Sequence, residues 1–379
     1  MKSSKRLEHI NEYYFSTKLK EISDLQQQGK NIINLGIGSP DLPPPKEVID
    51  ALKTAIAQDD KHSYQNYRGI AEFRLAISDF YCKHYKVRLN PETEVLPLMG
   101  SKEGIMHISM TFLNKGDKVL LPDPGYMTYA AASLLAGGKP IYYALNEKNN
   151  WLPDLEQLEK QDLSKVKLMW INYPHMPTGA TASKMHFQAI IDFAKQHDIL
   201  IINDNPYSFI LNKNYLSILK VSGARNHALE LNSLSKSHNM AGWRVGMLVG
   251  SKKHIDSVMK FKSNMDSGMF YGTQQAAIAA LNMPDKWYQK INKIYSRRKK
   301  IALKILDRIN AGTQADTAGM FVWAKLPKGV SSKEMSDKLL YEKNIFVAPG
   351  FIFGKNSDNY IRISLSVNEK LLTKALERL

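Results

Sequence analysis

The chain has almost no cysteine: Cys82 is the only one in 379 residues. A single thiol excludes an intrachain disulfide framework and a cysteine-based zinc site, no metal site is expected, and the reading is a reducing compartment, the cytoplasm. Long apolar runs are also missing. No stretch approaches the roughly 18 apolar residues of a membrane span. Residues 1–30 are mixed charged and polar, without the apolar core of a signal peptide. Repeats and low-complexity tracts are absent as well. What remains has the composition of an ordinary globular protein, 44% hydrophobic and 23% charged, on a chain long enough for more than one core.

Acidic residues are fewer than basic ones, 36 against 52, giving a net charge of +16. Such a balance raises nucleic-acid binding as a possibility to be weighed. The lysines, however, are scattered over expected helix faces. The densest run, Arg297-Arg-Lys-Lys300, lies on a helix whose apolar side carries Ile291, Ile294, Ile301 and Ile305. A solvated helix face explains it better, and attraction of anionic metabolites is a milder consequence. Gly36-Ile37-Gly38 lacks the third glycine of a dinucleotide fingerprint and runs into Pro40, Pro43, Pro44 and Pro45 where a helix would have to open. Two glycines in a tight turn fit close backbone approach instead.

An amphipathic helix is expected over 5–28, stopped by Gly29, then a short strand at 32–35 and helices over 46–58 and 70–84. Strands follow at 95–99, 118–121, 141–144, 168–172, 199–203, 228–234 and 245–249, with helices opening at Gly100 and over 126–136 and 183–197. This alternation predicts an α/β chain with a large, doubly wound, mainly parallel sheet and ligands at the carboxyl ends of its strands. From about residue 285 the pattern changes: a helix over 285–310 ending at Gly312, strands at 320–324, 345–347 and 360–366, and a terminal helix. The expected division is an N-terminal segment (1–40), a large cofactor-binding domain (41–284) and a smaller α+β domain (285–379) that also takes in the N-terminal segment.

The stretch around Ser235-Lys236-Ser237 is the centre of this arrangement. On its own, Lys236 reads more simply as a surface lysine on a serine-rich loop. Yet it stands where a buried strand ends, and burial there favours the neutral, nucleophilic amine. The hydroxyls of Ser233, Ser235 and Ser237 and the permanent charge of Arg244 can bind an anion beside it. The turn Gly100-Ser101-Lys102 opens a helix and offers free N–H groups to an anion, with capping by Ser101 compatible with the same geometry. Asp204, with Tyr207 three residues on, can bind a heteroaromatic N–H and its hydroxyl, and Tyr126 is an aromatic plate. Together these match pyridoxal 5′-phosphate group by group: aldehyde to Lys236, ring nitrogen to Asp204, 3′-oxygen to Tyr207, ring face to Tyr126.

At that point the chain resembles the fold-type I pyridoxal-phosphate enzymes, specifically the class I/II aminotransferases, and is similar to their LL-diaminopimelate and aspartate aminotransferase branch. Leu35-Gly-Ile-Gly38-Ser-Pro-Asp41 looks like the family's substrate-carboxylate turn. Tyr64 with Gly69 looks like the segment whose tyrosine reaches the phosphate of a neighbouring subunit. Gly100-Ser-Lys102 resembles the phosphate turn, Asn172-Tyr-Pro-His-Met-Pro177-Thr178-Gly179 the Asn-Pro-Thr-Gly loop, and Ser233-x-x-Lys236 with Arg244 the Schiff-base lysine and its phosphate ligands. Arg362 matches the arginine that forks onto the substrate α-carboxylate.

The resemblance implies ping-pong transfer of an amino group from an L-amino acid to a 2-oxo acid through an aldimine on Lys236, in a cytoplasmic homodimer of amino-acid metabolism or biosynthesis. A carbon–sulfur β-elimination lyase of the same fold is the nearest alternative. A DNA-binding regulator is the remote one, and the N-terminal extension expected of it is not seen. One position departs from the pattern. Met176 stands where the family has the asparagine that donates to the 3′-oxygen, so the Lys236 imine is expected to keep its proton to higher pH, with His175 or Asn172 as candidate replacements. Residues 10–20 and 260–275, including Tyr14, Lys262, Asn264 and Tyr271, are expected either at pocket edges or in interface packing.

Overall fold

The computed structural model describes every residue except 1, 9, 11, 13 and 315. Its central sheet has seven strands in the order Val95–Leu98, Gly246–Gly250, Ala228–Ser233, Leu200–Asp204, Val166–Ile171, Lys118–Asp123 and Lys139–Ala144. All run parallel except Gly246–Gly250, which is antiparallel to both of its neighbours. The expected mainly parallel α/β sheet is therefore present. Its strands are apolar on both faces because both faces are covered. Leu168, Trp170, Ile202, Leu231 and Leu248 pack beneath the helices Ser101–Phe112 and Lys252–Lys262. Met169, Ile171, Ile201, Met247 and Val249, one residue out of phase, belong to the core on the opposite face.

A second sheet of four short antiparallel strands is ordered Ala348–Pro349, Tyr360–Ser364, Phe321–Lys325, Gly312–Thr313. Arg362 sits on its second strand, opposite Trp323 on one side and Ala348 on the other. The N-terminal segment joins this region: Ile33 and Asn34 pair in parallel with Ile345 and Phe346. Arg298, on the long helix Asp285–Arg308, grips both carboxylate oxygens of Asp41 at 2.7 and 2.8 Å and the Leu365 carbonyl at 2.9 Å. This bidentate pair anchors the glycine turn at 36–41 to the second sheet's own helix.

Some expectations shift. The helix expected over 5–28 is a short 3-10 turn, Lys5–Leu7, and a helix Tyr14–Gln27, with positions 9, 11 and 13 of that span outside the described residues. The long helix stops before Asn310, at φ 53°, instead of running to Gly312, because asparagine also tolerates the left-handed conformation that ends helices. The polar turn at 235–237 is a single helical turn, Leu234–Ser237. The helices Tyr271–Leu281 and Ser332–Lys343 have no counterpart among the expected elements. The first is packed between the helices Lys46–Ile56 and Ala71–Tyr85, so it is apolar on more than one side and shows no single stripe.

Candidate active site

Parallel strands bring their carboxyl ends to one edge of the sheet, and the antiparallel strand Gly246–Gly250 brings its amino end to the same edge. Asp204 and Ser233 are the last residues of their strands, Asn172 follows one, and Arg244 precedes Gly246. A cavity of about 710 Å³ opens there, bounded on its far side by Arg362 from the second sheet. Lys236 reaches into it from its helical turn and donates from Nζ to the Gly38 carbonyl at 2.6 Å. Burial, then the cations Arg362 and Arg244, lower the Lys236 pKa to about 8 against the opposing pull of Asp204. In the chain alone, modification of Lys236 by an amine-directed reagent is expected to rise with pH through about 8. Peptide mass spectrometry reads this, and a midpoint matching that of the surface lysines would contradict it.

Asp204 is pushed up to about 6, chiefly by burial; a hydrogen bond from Tyr129 and the charge of Lys236 hold it down, and buried Glu230 pushes it further up. Tyr129 donates from its hydroxyl to Asp204 Oδ2 at 2.8 Å and stacks on Trp170 with centroids 4.7 Å apart. The other oxygen, Oδ1, is buried and has no hydrogen-bond partner among the described residues. A buried carboxylate oxygen with a vacant acceptor position is costly unless something else meets it.

The opposite end of the cavity is built for an anion. The N-cap of helix Ser101–Phe112 is Gly100, and no side chain caps that end, so its first-turn N–H groups lack a capping acceptor where Ser101 and Lys102 line the cavity. Gly100 has φ +90°, and a Cβ there would run into the Arg244 guanidinium, so glycine lets the cation lie on the turn. Ser233 donates to Ser235 Oγ at 2.8 Å and accepts from Ser235 N at 3.1 Å, which holds both hydroxyls at the lip.

Arg362 donates from Nη2 to the Gly36 carbonyl at 2.7 Å and from Nη1 to Met176 Sδ at 3.2 Å. Its guanidinium carbon lies 3.9 Å from the ring centroid of Phe321, 4.7 Å from that of Phe353 and 5.6 Å from that of Phe15. A Cβ on Gly38 would strike the Phe321 ring, so this turn also needs its glycine. Asn172 is a tie: its Oδ1 accepts from Met176 N at 2.7 Å, and its Nδ2 donates to the Asp204 carbonyl.

A description of the family as aminotransferase class I and II matches residues 30–379. The chain belongs to the class I and II aminotransferases. It is 40% identical over 378 residues to the LL-diaminopimelate aminotransferase of Aquifex aeolicus, covering 99% of this chain and 98% of that one. Among solved structures it is similar to apo-BacF from Bacillus subtilis, with TM-score 0.95 and 34% identity over 100% of this chain and 97% of the other. An aminotransferase from Staphylococcus aureus superposes with TM-score 0.90 and 35% identity, over 99% and 98% of the two chains. The activity is amino-group transfer between an amino acid and a 2-oxo acid, and the carbon–sulfur lyase alternative is not favoured.

The aminotransferase brings nearly all the sequence-predicted residues together. Gly38, Ser101, Lys102, Tyr126 and Asn172 line the cavity, as do Asp204, Tyr207, Ser233, Ser235, Lys236, Arg244 and Arg362. Gly100 acts beneath Arg244. Tyr64 is 90% exposed and stands apart, beside a shallow hollow formed with residues 267–270. Ser237 turns away to His238 Nδ1 at 2.9 Å. Phe15, Ser16 and Leu19 reach the cavity, whereas none of 260–275 lines it: Lys262 is buried in an ion pair with Asp266 at 2.7 Å. His175, fully enclosed and held near pKa 3 by burial, bonds Thr178 Oγ1 at 2.8 Å and does not line the cavity. Sequence reasoning missed Tyr129, although it lies three residues after Tyr126, inside the helix Thr128–Leu135.

Proposed function

We propose that this aminotransferase works with pyridoxal 5′-phosphate held in the cavity and attached at Lys236. The observation that carries the reading is the Asp204 Oδ1 without a hydrogen-bond partner among the described residues, buried in the same cavity as a lysine whose pKa is lowered to about 8. A pyridine N–H would satisfy that oxygen, and the uncapped helix end with Ser101, Ser233, Ser235 and Arg244 would hold a phosphate dianion. Bound there, the cofactor supplies an aldehyde that bonds amines reversibly and a ring that withdraws electrons from the substrate's Cα.

Each protein group then has a task. Arg362 holds the substrate α-carboxylate in a planar, two-pronged grip, its head fixed by Gly36 O, Met176 Sδ and the Phe321 ring. Lys236 Nζ takes the proton from the substrate Cα as general base and gives it up again as general acid, which its lowered pKa permits near neutral pH. Asp204 would set a negative charge against the ring nitrogen, with Tyr129 holding its other oxygen. Tyr207 supplies a phenol to the 3′-oxygen. Amino donor and oxo acid use the same Arg362 grip in turn, which gives ping-pong kinetics. LL-diaminopimelate, the substrate in the name of the Aquifex aeolicus relative, is one donor to test.

The reading extends to a cytoplasmic homodimer in which the exposed Tyr64 completes a neighbour's phosphate site. It also extends to a large part spanning 41–284 and a smaller part joining 1–40 with 285–379, supported by the Ile33–Ile345 pairing. Among the described residues no helix is long and apolar enough to cross a membrane.

The test is chemical. After borohydride treatment with pyridoxal phosphate and an amino acid–free buffer, peptide mass spectrometry is expected to find the pyridoxyl group on Lys236 alone; labelling spread over surface lysines would sink the assignment. A second expectation concerns Met176. It lacks a strong donor, so restoring one in Met176→Asn should lower the pH at which the absorbance of the loaded protein titrates. An unchanged titration would mean that the lost donor does not matter.

A further inference from the structure

We infer that Asp123 is a positioning residue for the substrate α-carboxylate: it latches the loop 353–356 to the central sheet and so holds the Phe353 ring against the Arg362 head. The inference rests on the function proposed above, in which Arg362 grips that carboxylate. Asp123 is the buried last residue of the strand Lys118–Asp123 and does not itself line the cavity. Its carboxylate turns instead to the loop that follows Phe353. Oδ2 accepts from Lys355 N at 3.2 Å and Oδ1 from Asn356 N at 3.4 Å, across 232 and 233 positions. Two residues after Asp123, Gly125 N donates to the Phe353 carbonyl at 2.8 Å. The turn at the end of one strand thus takes hold of the loop on both sides of Gly354. A Cβ on Gly354 would overlap Asp123 Oδ1, and φ +152° with ψ 163° is a conformation that suits glycine. Glycine is what lets the carboxylate reach the loop backbone.

The residue fixed in this way is Phe353. Its ring centroid lies 4.7 Å from the Arg362 guanidinium carbon and 5.7 Å from the Trp323 ring, which it meets edge-on. Of the three rings around the guanidinium, Phe321 stands on a strand and Phe15 on a helix. Phe353 ends a short 3-10 turn, Gly350–Phe353, and so has the least regular structure of its own to hold it. The latch supplies what that turn lacks. A guanidinium gripping a carboxylate with two prongs must stay in the carboxylate's plane, so a ring that drifts lets the head rotate out of it. Asp123 therefore acts on the substrate through Phe353 and Arg362, without touching either substrate or cofactor site.

The experiment uses the full chain loaded with pyridoxal phosphate, and the donor it converts fastest among the standard L-amino acids and LL-diaminopimelate, followed by absorbance. Asp123→Ala is expected to raise KM for that donor by about 10-fold or more and to leave kcat within about threefold, because the Arg362 grip serves bound substrate and transition state alike. Cofactor affinity, measured by titrating the unloaded chain with pyridoxal phosphate, should stay within about threefold. Asp123→Asn keeps one acceptor and should raise KM by about threefold. Gly354→Ala should raise KM at least as far as Asp123→Ala, and combining the two should add less than about twofold, since the new Cβ has already displaced the carboxylate. An unchanged KM in Asp123→Ala, a cofactor affinity that falls as far as KM rises, or single effects that multiply in the double variant overturns the inference while transamination stands. Where Asp123→Ala does not fold, an unchanged KM in Asp123→Asn and Gly354→Ala overturns it equally. If the parent converts no donor, the function proposed above falls, and the inference falls with it.

Discussion

Replacing Lys236 by alanine is expected to lower transamination by about 10⁴-fold or more, because in the proposed function one side chain serves as covalent anchor, general base and general acid. The fold should survive. Among the described residues Nζ donates one hydrogen bond, to the Gly38 carbonyl, and burial disfavours its ammonium form, so little stability is lost with it. Lys236→Arg is the sharper control. It keeps a cation in place, but a guanidinium neither becomes a neutral nucleophile nor gives up its proton near pH 8. Single-turnover absorbance with a saturating amino acid measures both variants. Activity within tenfold of the parent in either one would remove Lys236 from the chemistry.

Asp204→Asn should separate activity from stability. The carboxylate proposed to serve the reaction is held in an enclosed place, and its removal is expected to cut kcat/KM by about 10²–10³-fold. The effect on the cofactor-free chain has the opposite sign. Folding raises this carboxyl from 3.8 to about 6, so it favours the protonated form. The stabilising contribution of that form is complete below the unfolded value and is lost as pH rises through about 6. At pH 8 the ionised carboxylate therefore costs roughly 3 kcal/mol relative to its hydrated state, from about 1.4 kcal/mol per pKa unit. Asparagine avoids that cost and can still accept the Tyr129 hydroxyl. Urea unfolding without cofactor should show the variant more stable at pH 8 by up to about 3 kcal/mol, with the gain fading towards pH 4. A variant less stable than the parent at pH 8 would show that Asp204 is not held at a cost.

How much of this was legible beforehand depends on distance along the chain. Asp204, Ser233 and Lys236 could be picked out because each polar residue ends an apolar run, and a polar group at a buried strand end needs a reason. Arg362 was legible only through its motif, since nothing local in Tyr-Ile-Arg-Ile-Ser says where the side chain points. Tyr129 was missed and Tyr126 found, although only three positions separate them. Which of them meets Asp204 depends on how the helix Thr128–Leu135 is rotated over the sheet, and local periodicity does not report that. The 260–275 segment failed as a cavity edge for a similar reason: Lys262, the last residue of its helix, and Asp266, four positions on, satisfy each other in a buried pair instead.

The sequence by itself determined the order of most elements, the mainly parallel sheet and nearly all the polar residues at its active edge. Apolar runs of strand length alternating with amphipathic helices admit few other arrangements, and strands that run parallel must end together. Only the tertiary structure decided how those residues behave. Lys236 meets Gly38 across 198 positions, Tyr129 meets Asp204 across 75, and Arg362 meets Gly36 across 326 and the Met176 thioether across 186. A lysine's lowered pKa, a carboxylate's vacant oxygen and an arginine wrapped in three aromatic rings are properties of burial and of partners distant in sequence. They arise only when the chain has closed around them.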